Sequence, residues 1–185
     1  MQSENHAQKK GRRFPLRELI ITLVIALAIF LVAHAMVQSV KVVGASMEPS
    51  LHNGQYLVVS KAAYWFHPPR SGDIIVFHSP QNPDQDIIKR VIATPGETVE
   101  IKDGKVYIDG TPLEEPYIAE EPYYDLPPQY VPDDHYFVLG DNRNQSSDSH
   151  VWGMVPEKNI VGKAWICYWP ASKWQSVPNH SFDDD

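Results

Sequence analysis

The sequence predicts a mainly β, antiparallel domain set behind one N-terminal transmembrane helix. Three observations predict it. One long apolar run, residues 19–37, carries no formal charge with His34 neutral. From Ser39 onward, short β-branched runs alternate with Gly, Pro and Asn/Asp, with no long amphipathic helix and no internal repeat. Sixteen prolines in 185 residues favour turns and extended ribbons over long helices.

Residues 1–18 form a basic, cytoplasmic head. Lys9, Lys10, Arg12, Arg13 and Arg17 stand there against Glu4 and Glu18. Residues 19–37 form the anchor. Nineteen helical residues span roughly 28 Å, close to the ~30 Å hydrocarbon core of a bilayer. Its polar groups are His34, near the outer end, and Thr22, whose hydroxyl can bond back one turn. Basic residues ahead of the span predict a cytoplasmic N-terminus, with the body across the membrane. A cleaved leader is the alternative. Ala33-His34-Ala35 fits a small-x-small cleavage site and would leave Met36 at the mature N-terminus. The run is longer than the roughly 7–15 apolar residues of such leaders, which favours the anchor.

Residues 38–176 read as the β-rich domain. Strands are expected near 40–43, 55–60, 73–78, 86–93, 98–102, 105–108, 136–139 and 160–168. Asp103-Gly104 is a strong hairpin signal between two of these runs. Residues 111–134 carry six prolines among acidic and tyrosine residues and read as an extended surface excursion. Residues 177–185 end in three aspartates and read as a disordered tail.

Composition excludes several functions. The net charge is −7, and the chain beyond the head holds eleven basic against twenty-one acidic groups. That balance does not suit a nucleic-acid binder, which needs a basic surface. One cysteine excludes a disulfide framework and a Cys-rich zinc site. The eight histidines show no HxxxH or HxxEH spacing, which argues against a metallohydrolase. An apolar content of 43% is enough to bury a core.

Three segments can carry chemistry. In Gly44-Ala45-Ser46-Met47-Glu48-Pro49-Ser50-Leu51, a serine sits in a Gly/Pro turn nine residues beyond the anchor. Nine extended residues keep it within about 30 Å of the membrane surface. By itself such a serine is ordinarily a turn residue. In Asp86-Ile87-Ile88-Lys89-Arg90-Val91-Ile92-Ala93, alternation puts Ile87, Lys89, Val91 and Ala93 on one face and Ile88, Arg90 and Ile92 on the other. If the first face is buried, Lys89 points into an apolar interior. Burial then lowers its pKa, and a neutral amine can take a proton from a serine hydroxyl. The competing readings are a Lys89 that snorkels to solvent and a reversed face assignment. The third segment runs from Gly140-Asp141-Asn142-Arg143 through Ser146 and Asp148 to Trp152-Gly153. It opens with eleven polar or Gly residues. It reads as a long loop, or as the groups that orient a buried base.

These segments, with Gly72-Asp73-Ile74-Ile75-Val76-Phe77 and Lys89-Arg90-Val91-Ile92-Ala93-Thr94-Pro95-Gly96-Glu97, resemble the bacterial type I signal peptidases. These leader peptidases are membrane serine proteases with a Ser–Lys dyad. The resemblance runs from the basic head to about Trp169. It implies an antiparallel β-sheet domain on the membrane surface, with a β-ribbon extension that contains or adjoins 111–134. It implies Ser46 as nucleophile and Lys89 as general base, then general acid. Ser146 matches the serine whose hydroxyl bonds and orients the lysine. Asp148 matches an acidic residue that supports the region through a salt bridge. Asp141 and Arg143 stand with them as supporting residues. Two positions depart from the family pattern. His150 stands where an arginine is expected two residues after Asp148. An Asp148–His150 pair is weaker and pH-sensitive, and Arg143 is another possible partner. Gly44 stands where some members carry a serine that helps bind the oxyanion, which leaves that task to the Ser46 amide and another main-chain donor.

The resemblance also implies exported preproteins as substrates, cut after small residues of the A-x-A type through an acyl-enzyme. It implies no metal or cofactor, no nucleic acid, a lipid bilayer as partner and a monomer. It places the protein in the plasma or thylakoid membrane, single-pass, with the catalytic domain on the outer side. Ile74, Val76 and Ile88 are the expected pocket walls. The alternative is a catalytically inactive, membrane-anchored peptide-binding β-domain.

Overall fold

The computed structural model describes residues 16–182, so the basic residues of 1–15 and the aspartates 183–185 lie outside the described residues. The chain divides between Ala35 and Met36 into two compact units.

Helix α1, Leu16–Met36, lies in the first unit except for its last residue, and none of its residues is buried. Its best 18-residue window has a mean hydropathy of 2.8. Thr22 Oγ1 donates to the Glu18 carbonyl at 2.9 Å, so its hydroxyl is satisfied within the helix. The helix starts earlier than the expected 19–37 span because Leu16, Arg17 and Glu18 join its first turn. It ends at Met36 because Val37 already pairs with Ser60 in a sheet.

The second unit is built from antiparallel strands. They are β1 Val37–Lys41, β2 Tyr56–Ser60, β3 Ile74–His78, β4 Asp86–Ala93, β5 Thr98–Lys102 and β6 Lys105–Ile108. There follow β7 Thr111–Pro112, β8 Leu126–Tyr130, β9 His135–Leu139, the short helix α2 Ser149–Trp152, β10 Val155–Pro156, β11 Ile160–Trp169 and β12 Gln175–Ser176. The larger sheet has the order β1-β2-β11-β3-β4-β9-β10, with β12 also on β11. The smaller sheet has the order β7-β6-β5-β8.

Strand β4 sits between β3 and β9, and residues 88–93 are buried on both faces. Ile88 packs with Leu57, Val59, Ile74 and Val76. On the other side Val91 packs with Ile75, Phe77, Tyr136 and Val138. Each such side chain contributes roughly 1.5–3 kcal/mol through burial. A bulge between Val91 and Ala93 breaks the alternation, and both Ile92 and Ala93 join the cluster under the smaller sheet.

The smaller sheet begins with the expected hairpin. Asp103 and Gly104 both have positive φ, 50° and 77°, which matches the tight turn that Asp-Gly favours. Residues 111–134 prove to be more than a surface excursion. They supply both edges of this sheet, β7 and β8. Pro127 and Pro128 fit β8 because an edge strand need not donate hydrogen bonds on both sides.

The expectation of a disordered tail from 177 is corrected for residues 177–182. Val177 is buried in the core beside β11, and its amide donates to the Trp165 carbonyl at 2.9 Å. Asn179 Oδ1 accepts from the Ile74 amide at 2.7 Å, which satisfies the start of β3. The His180 amide donates to the Gly72 carbonyl at 3.1 Å. Gly72 has φ +90°, and a Cβ there would lie 1.7 Å from the His180 carbonyl oxygen, so only glycine fits under the tail.

Candidate active site

Ser46 lies in the loop between β1 and β2. Met47 and Leu51 are buried and anchor this loop to the core. The Gly44 amide donates to Asn53 Oδ1 at 3.0 Å, and the Leu51 amide to the Met47 carbonyl at 2.8 Å. The segment after β9 grips the loop from the other side. The Asn142 amide donates to the Ser46 carbonyl at 3.0 Å, and Asn142 Nδ2 to the Ala45 carbonyl at 3.2 Å. Gly140 permits this approach. A Cβ there would meet the Ser46 carbonyl oxygen at 2.4 Å and Ser146 Oγ at 2.3 Å.

Lys89 comes from the middle of β4, opposite Ile75 of β3, and is 3% exposed. Its Nζ lies 2.6 Å from Ser46 Oγ. Burial lowers the amine from an ordinary 10.5 to about 8, against the opposing pull of Asp148 and Asp141. An amine so placed is readily deprotonated next to a hydroxyl. That pairing is what serine activation by a lysine needs.

The next residue, Arg90, is fully buried. Its Nε and Nη2 donate to the two oxygens of Asp141 at 2.9 and 2.7 Å, a bidentate pair with both side chains inaccessible. Arg143 does not pair with Asp148. Its fork binds Glu115, at 2.7 and 2.6 Å, and its Nε donates to the Gly140 carbonyl at 3.1 Å. Tyr117 OH donates to the same glutamate at 2.7 Å. Asp148 is held by His150 instead. Asp148 Oδ1 lies 2.5 Å from His150 Nδ1, and Oδ2 accepts from the Gly140 amide at 2.9 Å. The His150 ring stacks on Tyr124 at 4.0 Å.

Two expectations for side chains are not met. Ser146 Oγ is buried and has no hydrogen-bond partner among the described residues, so the expected bond to Lys89 is not formed. The Lys89 amine is directed to Ser46 instead. Ile74 and Val76 are fully buried and do not line the cavity beside Ser46, because their face of β3 packs into the cluster that holds Met47, Leu51, Leu57 and Val59. Ile88 does line it. A cavity of about 380 Å³ opens beside Ser46 and Lys89, with apolar walls from Val42, Val43, Met47, Ile87, Ile88 and Trp152. Ser79, Gln81, Asn82 and Gln85 make its polar end. A larger cleft of about 630 Å³ lies by Arg70, Glu97 and Glu157, but neither Ser46 nor Lys89 borders it.

The family model described as signal peptidase, peptidase S26, matches residues 16–169. The chain belongs to that family. It is therefore a serine hydrolase by membership. The probable signal peptidase I-1 of Synechocystis sp. is 47% identical over 175 residues, 90% of this chain and 89% of that protein. The chloroplastic thylakoidal processing peptidase 1 of Arabidopsis thaliana is 37% identical over 79% of this chain and 46% of that protein. A solved signal peptidase I from Enterococcus faecalis V583 is 39% identical, with a TM-score of 0.48 over 51% of this chain and 95% of that chain.

For this S26 peptidase, Arg90, Glu115, Tyr117, Tyr124, Val42 and Val43 were not among the expected site residues. Arg90 had a usable signal. A second cation in a strand of Ile and Val needs a buried acid, because fully buried arginines are almost always paired. Glu115, Tyr117 and Tyr124 have no local signal, since distant partners hold them in place.

Proposed function

We propose that this S26 peptidase removes N-terminal signal peptides from exported preproteins by a Ser46–Lys89 dyad, cutting after small residues. The observation that carries the reading is the 2.6 Å approach of Lys89 Nζ to Ser46 Oγ, with the amine buried and its pKa lowered. Helix α1 acts as the membrane anchor, with the N-terminus cytoplasmic and the β-domain on the outer side.

The substrate lies extended along the cavity, with its scissile carbonyl at Ser46. Neutral Lys89 takes the Ser46 proton, and the alkoxide adds to the carbonyl carbon. The Ser46 amide, which makes no hydrogen bond among the described residues, stabilises the developing oxyanion. Lys89 then returns the proton to the leaving amine as the C–N bond breaks. Lys89 then takes a proton from water, the hydroxide adds to the ester carbonyl, and Lys89 returns that proton to Ser46 Oγ as the C–O bond breaks, which restores the hydroxyl and the free amine. The dyad moves its own protons, so no cofactor enters. Val42, Val43, Met47, Ile87 and Ile88 bound the cavity near Ser46 and leave room for small side chains. Asp148 orients the segment through the Gly140 amide, and Ser146 fills the space beside it. Asp141 and Arg143 support the segment through Arg90 and Glu115.

The test uses full-length protein in detergent or lipid with a preprotein bearing an Ala-x-Ala site. Wild type, Ser46→Ala and Lys89→Ala run side by side, and the product N-terminus is sequenced. Cleavage after the second alanine by wild type alone supports the reading. Cleavage by all three points to a contaminant. A folded wild type that cleaves nothing favours the inactive peptide-binding domain.

A further inference from the structure

We propose that the C-terminal segment 177–182 and Tyr117 form a clamp that positions Arg90, and through it Lys89, for the proton transfer. The proposal rests on the dyad reading above. The segment lies beyond residues 16–169, which the family model matches, and it borders no part of the cavity beside Ser46.

The Arg90 guanidinium is enclosed on every side. Asp141 takes two of its N–H groups, and Nη1 donates to the Gly72 carbonyl at 2.9 Å and the Pro178 carbonyl at 3.0 Å. The Tyr117 ring lies over the fork, 4.0 Å from Cζ. The tail covers that ring in turn. His180 packs at a tilt against Tyr117 with ring centroids 5.6 Å apart, and Phe182 stacks on it at 6.1 Å. Asn179 holds the tail in place through the Ile74 amide at 2.7 Å and the Ala164 carbonyl at 3.2 Å. The Gly72 carbonyl accepts from both Arg90 and the His180 amide, so the tail and the arginine share one acceptor.

Arg90 adjoins Lys89 in β4, and its partner Asp141 is one of two carboxylates, with Asp148, that favour a charged Lys89. While Arg90 holds Asp141 in a dry bidentate pair, the negative charge of Asp141 is compensated. Opening the clamp removes the Tyr117 ring and the Pro178 carbonyl that hold the guanidinium on Asp141, so Arg90 can turn away and the carboxylate loses its compensating charge. Asp141 then acts more strongly on Lys89 and raises its pKa. The other charged or titratable groups around Tyr117 are Glu115, Arg143 and His180. A rise of about one unit in the Lys89 pKa cuts its neutral fraction about tenfold at pH values below it.

The experiment compares full-length wild type with a chain ending at Ser176, with Tyr117→Leu and with Tyr117→Phe. Each is assayed on an Ala-x-Ala preprotein from about pH 6 to about pH 11, with kcat and KM separated and unfolding followed in parallel. The truncated chain and Tyr117→Leu should lose about tenfold in kcat near neutral pH, with KM unchanged. Their ascending limb should move up by about one unit, so that the rate returns at alkaline pH. Tyr117→Phe keeps the ring over Arg90 and should follow wild type. A folded truncated chain or Tyr117→Leu variant with wild-type kcat and limb overturns the clamp. So does lowered stability with an unmoved limb, or a change in KM alone. If the truncated chain does not fold, the Leu/Phe pair at position 117 decides. Ser46→Ala and Lys89→Ala run alongside. Activity retained by either overturns the dyad itself, whatever the clamp variants do.

Discussion

Strand β4 carries Lys89 and Arg90 through the middle of the larger sheet, paired on both sides and buried on both faces. The chain between β7 and β8, residues 113–125, has no helix or strand. Yet it sets Glu115 against Arg143 and Tyr117 against Arg90. In β4, position follows from a ladder of backbone bonds and alternating apolar side chains. In the excursion it follows from a few strong polar contacts made to residues distant in the chain. A regular element holds a side chain by many weak constraints, whereas an irregular one holds it by a few strong ones. Single substitutions in the excursion should therefore be felt more globally than its irregular backbone suggests.

The largest expected effect isolates the chemistry. Ser46→Ala or Lys89→Ala should lower kcat on the order of a millionfold, the scale seen when a serine nucleophile or its base is removed. The double variant should lose scarcely more than either single one, because the two act as a unit. Single-turnover assays of the three variants check this, and additive losses would break the dyad reading.

Next in size comes the excursion. Arg143→Met leaves Glu115 buried without its cation, and Glu115→Gln leaves Arg143 without its anion. Breaking such a buried pair from one side costs about 3–5 kcal/mol. Denaturant unfolding of the full chain should show that loss for each variant. The double variant Arg143→Met/Glu115→Leu should recover much of it. A loss near zero for both single variants would make the excursion a loosely held surface loop after all.

Lys89 also carries a stability cost. Its folded pKa of about 8 lies below the ordinary 10.5 that applies when unfolded. Below about pH 8 both states bind the proton, and the folded state bears the full penalty of a buried charge. Between about 8 and 10.5 the folded state releases its proton first, so stability rises with pH across that window. The difference amounts to about 3 kcal/mol. Lys89→Met should therefore unfold at higher denaturant than wild type at neutral pH and lose the rise between pH 8 and 10.5. Activity of the wild type should climb through the same lower limit, about pH 8, where the free amine appears.

Much of this was legible in the sequence wherever contacts are local. The strands at 86–93, 98–102 and 105–108 fall where alternation and Asp-Gly placed them. Ser46 and Lys89 stood out by residue type and motif, and the structure brings them together. What stayed hidden depends on contacts between residues far apart in the chain. The tail 177–182 looked free because three aspartates follow it, yet Val177 and Asn179 find partners on β11 and β3. Ile74 and Val76 are expected as pocket walls because a small-residue preference needs shallow apolar pockets. Only the fold puts their face into the cluster with Met47, Leu51, Leu57 and Val59. Alternation in β4 promised one buried face, and the neighbouring layers cover both.

The smallest effect tests how local the Asp148 contact is. Asp148 serves three groups: the Gly140 amide, the His150 amide and the His150 ring. His150→Ala removes only the ring, with its hydrogen bond and its stack on Tyr124. The carboxylate keeps the Gly140 amide, which fixes the turn beside Ser46. The loss should be about 1–2 kcal/mol in stability, the sum expected for one hydrogen bond and one aromatic stack. The rate should fall less than tenfold, since neither the Gly140 amide contact nor the Lys89–Ser46 pair is touched. Asp148→Ala should cost more, because it leaves the buried Gly140 amide without an acceptor and removes the cap of α2. Side-by-side thermal melts and kcat values for the two variants give the ratio. If His150→Ala proved as damaging as Asp148→Ala, the ring would be what holds the carboxylate in place, and the contrast between backbone-held and side-chain-held parts of this site would not apply to Asp148.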